Sequence, residues 1–454
     1  MGYQSINPAN GVLLGHYDVW DEDQLELALA DAAKAKQAWA TSSFAERAEL
    51  LRKLAARLRK DKEKLATLIT LEMGKLLTEA RAEIEKCALG CDYYADHGAG
   101  FLADEAIASD AGKSLVAYQP LGVVLAVMPW NFPFWQVMRF AIPALMAGNV
   151  GLLKHASNVP KCALAIEQLF DDAGFPPNVF QTLLISAGKV AQVIGDARVQ
   201  AVTLTGSTPA GQAVAACAGQ HIKKTVLELG GSDPFVVLAD ADLELAVSNA
   251  VASRFLNAGQ SCIAAKRFVV SAAIADEFVA RFKTALTKLR PGDPLLADTT
   301  LAPLARHDLR DELHKQVSDS AAAGAEIVCG GQPVDGPGAF YAATILDHVS
   351  PRCRAYYEEL FGPVASVIRC DDEEEAIRIA NDSEFGLGAS VWTRDSQHGE
   401  ALARRIESGA VFVNGMVKSD PRLPFGGVKK SGYGRELARH GIREFVNVKT
   451  LWIR

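Results

Sequence analysis

From Asp21 to about Gly98, apolar residues recur at intervals of three and four with Glu, Lys and Arg between them, which predicts consecutive amphipathic helices. Ser43-Phe44-Ala45-Glu46 has capping-box spacing and marks the start of the second helix. After Leu115 the period changes. The runs LVAYQP and GVVLAVMPW are short and rich in β-formers. Beyond them strands and helices alternate: NVGLLK before a helix from Pro160, AVTLTG before a helix from Pro209, and KTVLEL before PFVVL. A second series runs from KRFVVS through a helix near Ile274 to Leu289, then EIVCGG, PVASVIR and GAVFVN. Strands separated by helices imply parallel sheets covered on both faces, so the fold class is α/β. The acidic run Asp371 to Glu375 leads into a helical pattern and reads as a solvated first turn favoured by the helix dipole.

A chain of 454 residues is too long for one hydrophobic core, so two large open α/β domains are expected. At 49% hydrophobic and 22% charged the composition is that of an ordinary globular protein. A net charge of −7 without a basic block argues against a nucleic-acid partner. The longest apolar run, Phe140 to Leu153, is too short to span a bilayer and is broken by Pro143, Gly148 and Asn149. The opening MGYQSINPANG has no basic segment leading into an apolar one, so no secretory signal is read. Eight cysteines without a C-x-x-C pair fit no disulfide framework, and a cytoplasmic location is expected. Cys87 and Cys91 share a face of a predicted helix. With no His or third Cys nearby, they read as buried neighbours rather than metal ligands, and no metal site is expected.

Several stretches have the residue types that chemistry needs, each with a plain structural alternative. In FLNAGQSCIAAKR, Cys262 follows a polar turn-forming run, the loop setting of a nucleophilic thiol, whereas the other cysteines sit mainly in helical or apolar surroundings. Glu228, in LELGG, ends an apolar strand before two glycines, as a general base or a capping group. Asn131, in MPWNFPFWQ, is placed to donate to an oxyanion or to form a turn. LTGSTPAG puts Gly206 and Ser207 where a strand gives way to a helix, an anion site or an ordinary connection. Lys154 ends an apolar strand, facing a ligand crevice or snorkelling to the surface.

PWNFP, LLK, LTGST, LELGG, GQSC, EELFGP and PFGGVKKSGYGRE, in this order along nearly the whole chain, resemble the NAD(P)-dependent aldehyde dehydrogenase superfamily. The resemblance implies that Cys262 is the nucleophile, Glu228 the general base and Asn131 the side-chain half of an oxyanion hole. It places Lys154, Ser157, Gly206 and Ser207 on the adenosine and pyrophosphate of the cofactor and Glu359 and Phe361 at the nicotinamide, with Trp130 and Leu229 also in the cofactor site. Phe425 would line a substrate tunnel, and Glu436 matches a glutamate assigned to a proton relay. The implied cofactor-binding domain takes residues 1–110 and 122–229 with a return near 425–440, and the catalytic domain takes 230–424. Residues 111–121 and 441–454 would form an oligomerisation arm in which Lys113 to Pro120 pairs with VNVKTLWIR, giving a homodimer or homotetramer.

The substrate expectation rests on Arg139, the one charge in FPFWQVMRFAIPALMAGN. If this segment is helical from Asn131, Arg139 lies eight residues on, or roughly 12 Å along the axis, and its guanidinium can reach back to clamp a substrate carboxylate. A structural salt bridge is the other reading. A carboxylate clamp resembles the succinate-semialdehyde branch, which adds Ser419 as a second contact. Glutarate semialdehyde, a broad aldehyde range, or transfer of the thioester to coenzyme A are the alternatives, and Glu228 favours water as acceptor. A cofactor-free cysteine hydrolase and a non-catalytic binding protein are the readings from other classes. NADP is expected over NAD because Ser157 stands where NAD-selective relatives often carry a glutamate; His155 replaces the proline usual beside the lysine.

Overall fold

In the computed structural model, which describes residues 2–454, the three-and-four spacing becomes helices Glu22–Trp39, Phe44–Lys60, Lys62–Met73 and Leu77–Phe101. The Ser43 capping box forms, with the Glu46 amide donating to Ser43 Oγ and Glu46 accepting from the Ser43 amide. Asp21 and Gln24 make a second box at the preceding helix. Cys87 and Cys91 are both buried in the core on helix Leu77–Phe101.

Two sheets carry the molecule. The first has six strands in the order Gly432–Tyr433, Lys224–Glu228, Val199–Thr205, Val123–Met128, Val150–His155, Phe180–Thr182. All its pairings are parallel except that of Gly432–Tyr433, which the return segment lays antiparallel on Lys224–Glu228. Helices cover both faces, so its central strands read as unbroken apolar runs. The second has seven strands in the order Glu326–Cys329, Thr344–Asp347, Val364–Cys370, Ala265–Ser271, Asp233–Val237, Gly388–Trp392, Ala410–Val413, around its own apolar core.

The structure departs from the sequence reading at several places. EIVCGG joins the second sheet as an antiparallel edge, because a loop rather than a helix leads into Thr344–Asp347. Strands Thr344–Asp347 and Gly388–Trp392 and the hairpin Tyr3–Ile6 with Leu13–Tyr17 are additions to the predicted elements. Helix Trp135–Met146 begins four residues after Asn131, so the continuous helix assumed between Asn131 and Arg139 does not exist. Lys113–Pro120 pairs antiparallel with Val446–Ile453 over eight residue pairs, and Glu105–Ala106 adds a third strand, so this ribbon starts earlier than residue 111. Val448, Leu451, Trp452 and Ile453 are exposed on it. No helix among the described residues is long and apolar enough to cross a membrane.

Candidate active site

In the first sheet, Val123–Met128 has Val150–His155 on one side and Val199–Thr205 on the other. Ligand crevices form at strand carboxyl ends where the order reverses in this way. The turns leaving these ends carry Trp130, Asn131, Gly206 and Ser207, which line a cavity of about 390 Å3 together with Leu229, Cys262, Glu359 and Phe361. Trp130 meets Phe361 edge-on, with ring centroids 5.9 Å apart. Ser207 is the N-cap residue of helix Thr208–Gln220 but makes no side-chain cap bond, so its hydroxyl and the first helical amides suit a phosphate.

Lys154 and Ser157 line a second cavity, of about 800 Å3. Lys154 Nζ donates to the His155 carbonyl at 3.0 Å, and burial lowers its pKa. Arg306 lines both cavities and so joins them. His155 is buried: its Nδ1 accepts from the Ala156 amide at 2.9 Å, which leaves Nε2–H to donate to the Pro133 carbonyl at 2.9 Å. Burial pushes its pKa down to about 4, so this neutral ring braces the Lys154 loop against the turn that carries Asn131.

Cys262 sits in the turn before strand Ala265–Ser271, after an unusual stretch of backbone. Asn257, Ala258 and Gly259 have φ of 53°, 51° and 76°. Left-handed conformations at residues other than glycine cost on the order of 1–3 kcal/mol each and persist where the surroundings enforce them. Here Asn257 Nδ2 donates to the Asn131 carbonyl at 2.7 Å, and the buried Arg254 guanidinium donates to the carbonyls of Gly259 and Leu360, each at 3.0 Å. Arg254 thereby ties the cysteine loop to the loop of Glu359 and Phe361. A Cβ on Gly259 would collide with the Gly362 carbonyl. Lys266 Nζ donates to the carbonyls of Ser261 and Cys262 at 2.8 Å and pairs with Glu359 at 3.2 Å.

Asn131 is buried with its amide orientation set by the network. Its Oδ1 accepts from Gln136 Nε2 at 3.1 Å, and Nδ2 donates to the Gln260 carbonyl at 3.0 Å. One Nδ2 hydrogen remains beside the cysteine loop for an oxyanion. Burial pushes the Cys262 thiol up to about 12 despite the opposing charges of Arg139 and Lys266, so the resting thiol is protonated at neutral pH.

Glu228 ends strand Lys224–Glu228 and is fully buried, with no hydrogen-bond partner on either carboxylate oxygen. Burial and then the neighbouring Glu436 raise its pKa far above the carboxylate range. It is thus neither a surface group nor a cap. It lines neither cavity that Cys262 lines, and it packs so close to Gly426 that a side chain there would collide with its Oε1.

Cys262 and Gln136 also line a smaller cavity, of about 90 Å3, with Arg139, Ser419, Phe425, Lys86 and Trp135. The thiol is where the two chambers meet. Arg139 forms an ion pair with Glu436, as the structural reading expects, and also walls this chamber, its guanidinium 4.5 Å from the Phe425 ring centroid. Glu436 therefore contacts Arg139 and raises the proton affinity of Glu228. Lys86, Trp135, Arg254, Lys266 and Arg306 are site residues that the sequence motifs do not mark. Arg254 and Lys266 carry the same signal as Arg139, a cation within an apolar run.

The chain is similar to known proteins along its whole length. A probable NADP+-dependent succinate-semialdehyde dehydrogenase of Synechocystis sp. is 54% identical, and an NADP+-dependent succinate-semialdehyde dehydrogenase of Mycobacterium tuberculosis is 53% identical, each over the whole of both chains. The crystal structure of succinic semialdehyde dehydrogenase from Streptococcus pyogenes with NADP+ superposes with a TM-score of 0.98 at 40% identity, covering 99% of each chain. Residues 1–451 match the aldehyde dehydrogenase family, and the chain belongs to that family.

Proposed function

We propose that this chain oxidises a short aldehyde bearing a terminal carboxylate, succinic semialdehyde foremost, to the dicarboxylate with NADP+ as hydride acceptor. The observation that carries this reading is the small chamber in which Cys262 shares walls with Arg139 and Ser419. Trp130, Gly206, Ser207, Leu229, Glu359 and Phe361 would hold the nicotinamide and pyrophosphate half of the cofactor, and Lys154 and Ser157 the adenosine half. When bound, the cofactor supplies the hydride acceptor.

The Cys262 thiol gives up its proton to solvent as its sulfur attacks the aldehyde carbon, and Asn131 Nδ2 with the Cys262 amide stabilises the oxyanion of the thiohemiacetal. Loss of hydride leaves a thioester on Cys262. Glu228, in its ionised form, takes one proton from water as that water attacks the thioester, and the other proton goes to the departing sulfur, releasing the carboxylate and restoring the thiol.

Arg139→Ala tests the substrate assignment. It should raise the KM for succinic semialdehyde by the equivalent of about 2–5 kcal/mol while affecting butyraldehyde far less, because only the charged substrate loses a partner. The loss of a counter-charge for Glu436 is common to both substrates and cancels in the comparison. Equal losses would leave Arg139 a purely structural ion pair. For the cofactor, a glutamate at position 157 would repel a 2′-phosphate and accept from ribose hydroxyls, whereas the serine hydroxyl can donate to the phosphate beside Lys154. Ser157→Glu is expected to turn the preference toward NAD, chiefly through a higher KM for NADP. An unchanged ratio of kcat/KM for the two cofactors would place discrimination elsewhere.

Residues 1–110 and 122–229, with the return near 425–440, are read as the cofactor-binding domain and 230–424 as the catalytic one. The ribbon of Lys113–Pro120 and Val446–Ile453 is read as an arm covered by partner subunits in a dimer or tetramer, which its exposed Val448, Leu451, Trp452 and Ile453 support. Eight unpaired cysteines support a reducing, cytoplasmic setting.

A further inference from the structure

Lys86 is a cation in the substrate chamber without a carboxylate of its own. Its Nζ donates to Ser419 Oγ at 2.7 Å and lies 4.4 Å from the Trp135 ring centroid. The acidic groups that act on it are committed elsewhere: Glu83, on the same helix, pairs with Lys75, and Asp420, in the loop beyond Ser419, pairs with Arg422. Cys87 adjoins it on its own helix, Arg139 faces it from helix Trp135–Met146, and Lys418 lines the chamber from the Ser419 loop. The chamber thus gathers positive charge, only part of which is answered by Glu436 on Arg139. Ser419 Oγ accepts a second hydrogen bond, from Trp135 Nε1 at 2.9 Å. A hydroxyl has two acceptor sites and one proton to give. With both acceptor sites taken, Ser419 can act toward a ligand only as a donor, and a donor beside two cations suits a carboxylate.

We propose that Lys86 is a positioning and specificity residue, which with Trp135 fixes Ser419 as a hydrogen-bond donor and adds the second positive charge that receives the terminal carboxylate of the substrate. The inference rests on the substrate reading above and extends it to a residue on a different helix. Burial, and then the charge of Arg139, push the Lys86 ammonium down to about 8. Its charge is present below that pH and is lost above it. A loss of carboxylate preference through this range is the signature expected of Lys86.

The test compares kcat/KM for succinic semialdehyde with that for butyraldehyde, which has the same carbon count and no carboxylate, across pH 6.5 to about 9.5. Taking the ratio cancels titrations common to both substrates, including that of Cys262. The parent ratio should be level at low pH and fall through about pH 8. Lys86→Met, which keeps the apolar stem, should lower the ratio about tenfold or more through the KM of the charged aldehyde, the size expected of one charge-assisted hydrogen bond, with kcat little changed and the pH dependence gone. In a Ser419→Ala background the same substitution should cost less, since part of its effect passes through Ser419. A Lys86→Met enzyme that keeps the parent ratio, or loses both substrates equally, overturns the proposal. So does a parent ratio that is flat with pH, a measurement that needs no variant to fold. A parent with no preference for the charged aldehyde would sink the substrate reading itself, and the Lys86 proposal with it.

Discussion

Replacing Cys262 by alanine should abolish aldehyde oxidation, with a loss on the order of 10⁴-fold or more, while leaving the fold and cofactor binding in place. The thiol is half-buried at the meeting point of the two chambers, and the bonds that hold its loop run through Arg254, Asn257, Gln260 and Lys266, none of which uses the sulfur. Removing one sulfur atom therefore deletes the nucleophile without touching the frame. Appearance of reduced nicotinamide, followed by absorbance, gives the activity, and titration with NADP+ gives the binding. Residual turnover within about tenfold of the parent would mean that the covalent step lies elsewhere, since a missing nucleophile costs far more.

Glu228→Gln should separate the two halves of the reaction. In the resting conformation this carboxyl is buried and unbonded, and burial, then Glu436, raises its pKa. A glutamine is close to its neutral form in shape and polarity, so the variant should fold normally. Hydride transfer then proceeds once, and the thioester waits for a base. Rapid mixing should show a burst of reduced cofactor near one per active site, followed by a steady rate lower by a factor on the order of 10² to 10⁴, the usual yield of general-base catalysis. Steady turnover at the parent rate without a burst would assign the water-activating step to another group.

Much of the fold is legible in the chain because it is written in local pattern. The helical spacing before Gly98, the Ser43 box and the long buried strands come from periodicity, which depends on neighbours a few residues away. Features that depend on distant partners escape such a reading. Glu326–Cys329 runs antiparallel because the loop after it turns the chain straight back into Thr344–Asp347, and the hairpin at Tyr3 to Tyr17 is too short to stand out from a coil. The apolar pattern makes the helix containing Arg139 four residues too long, since Asn131 to Phe134 are individually compatible with either state. At the site, the family resemblance names residues that line the two chambers. It says nothing of Lys86, whose helix is far in sequence from every other residue of the small chamber. Nor does it say that Arg139 is shared between Glu436 and the chamber, because an ion pair between residues 139 and 436 exists only once the return segment is in place.

The left-handed run at Asn257 to Gly259 bears on how this enzyme can be redesigned. Randomising the stretch from Asn257 to Cys262 to change aldehyde preference would mostly sample sequences that cannot adopt the backbone, and Gly259 would return as glycine in a screen for folding alone. Diversity is better placed at Leu256, Met416 and Val417, which face the small chamber and donate no side-chain bond to the cysteine loop. A library there would explore chain length and shape while the machinery around the sulfur stayed as built.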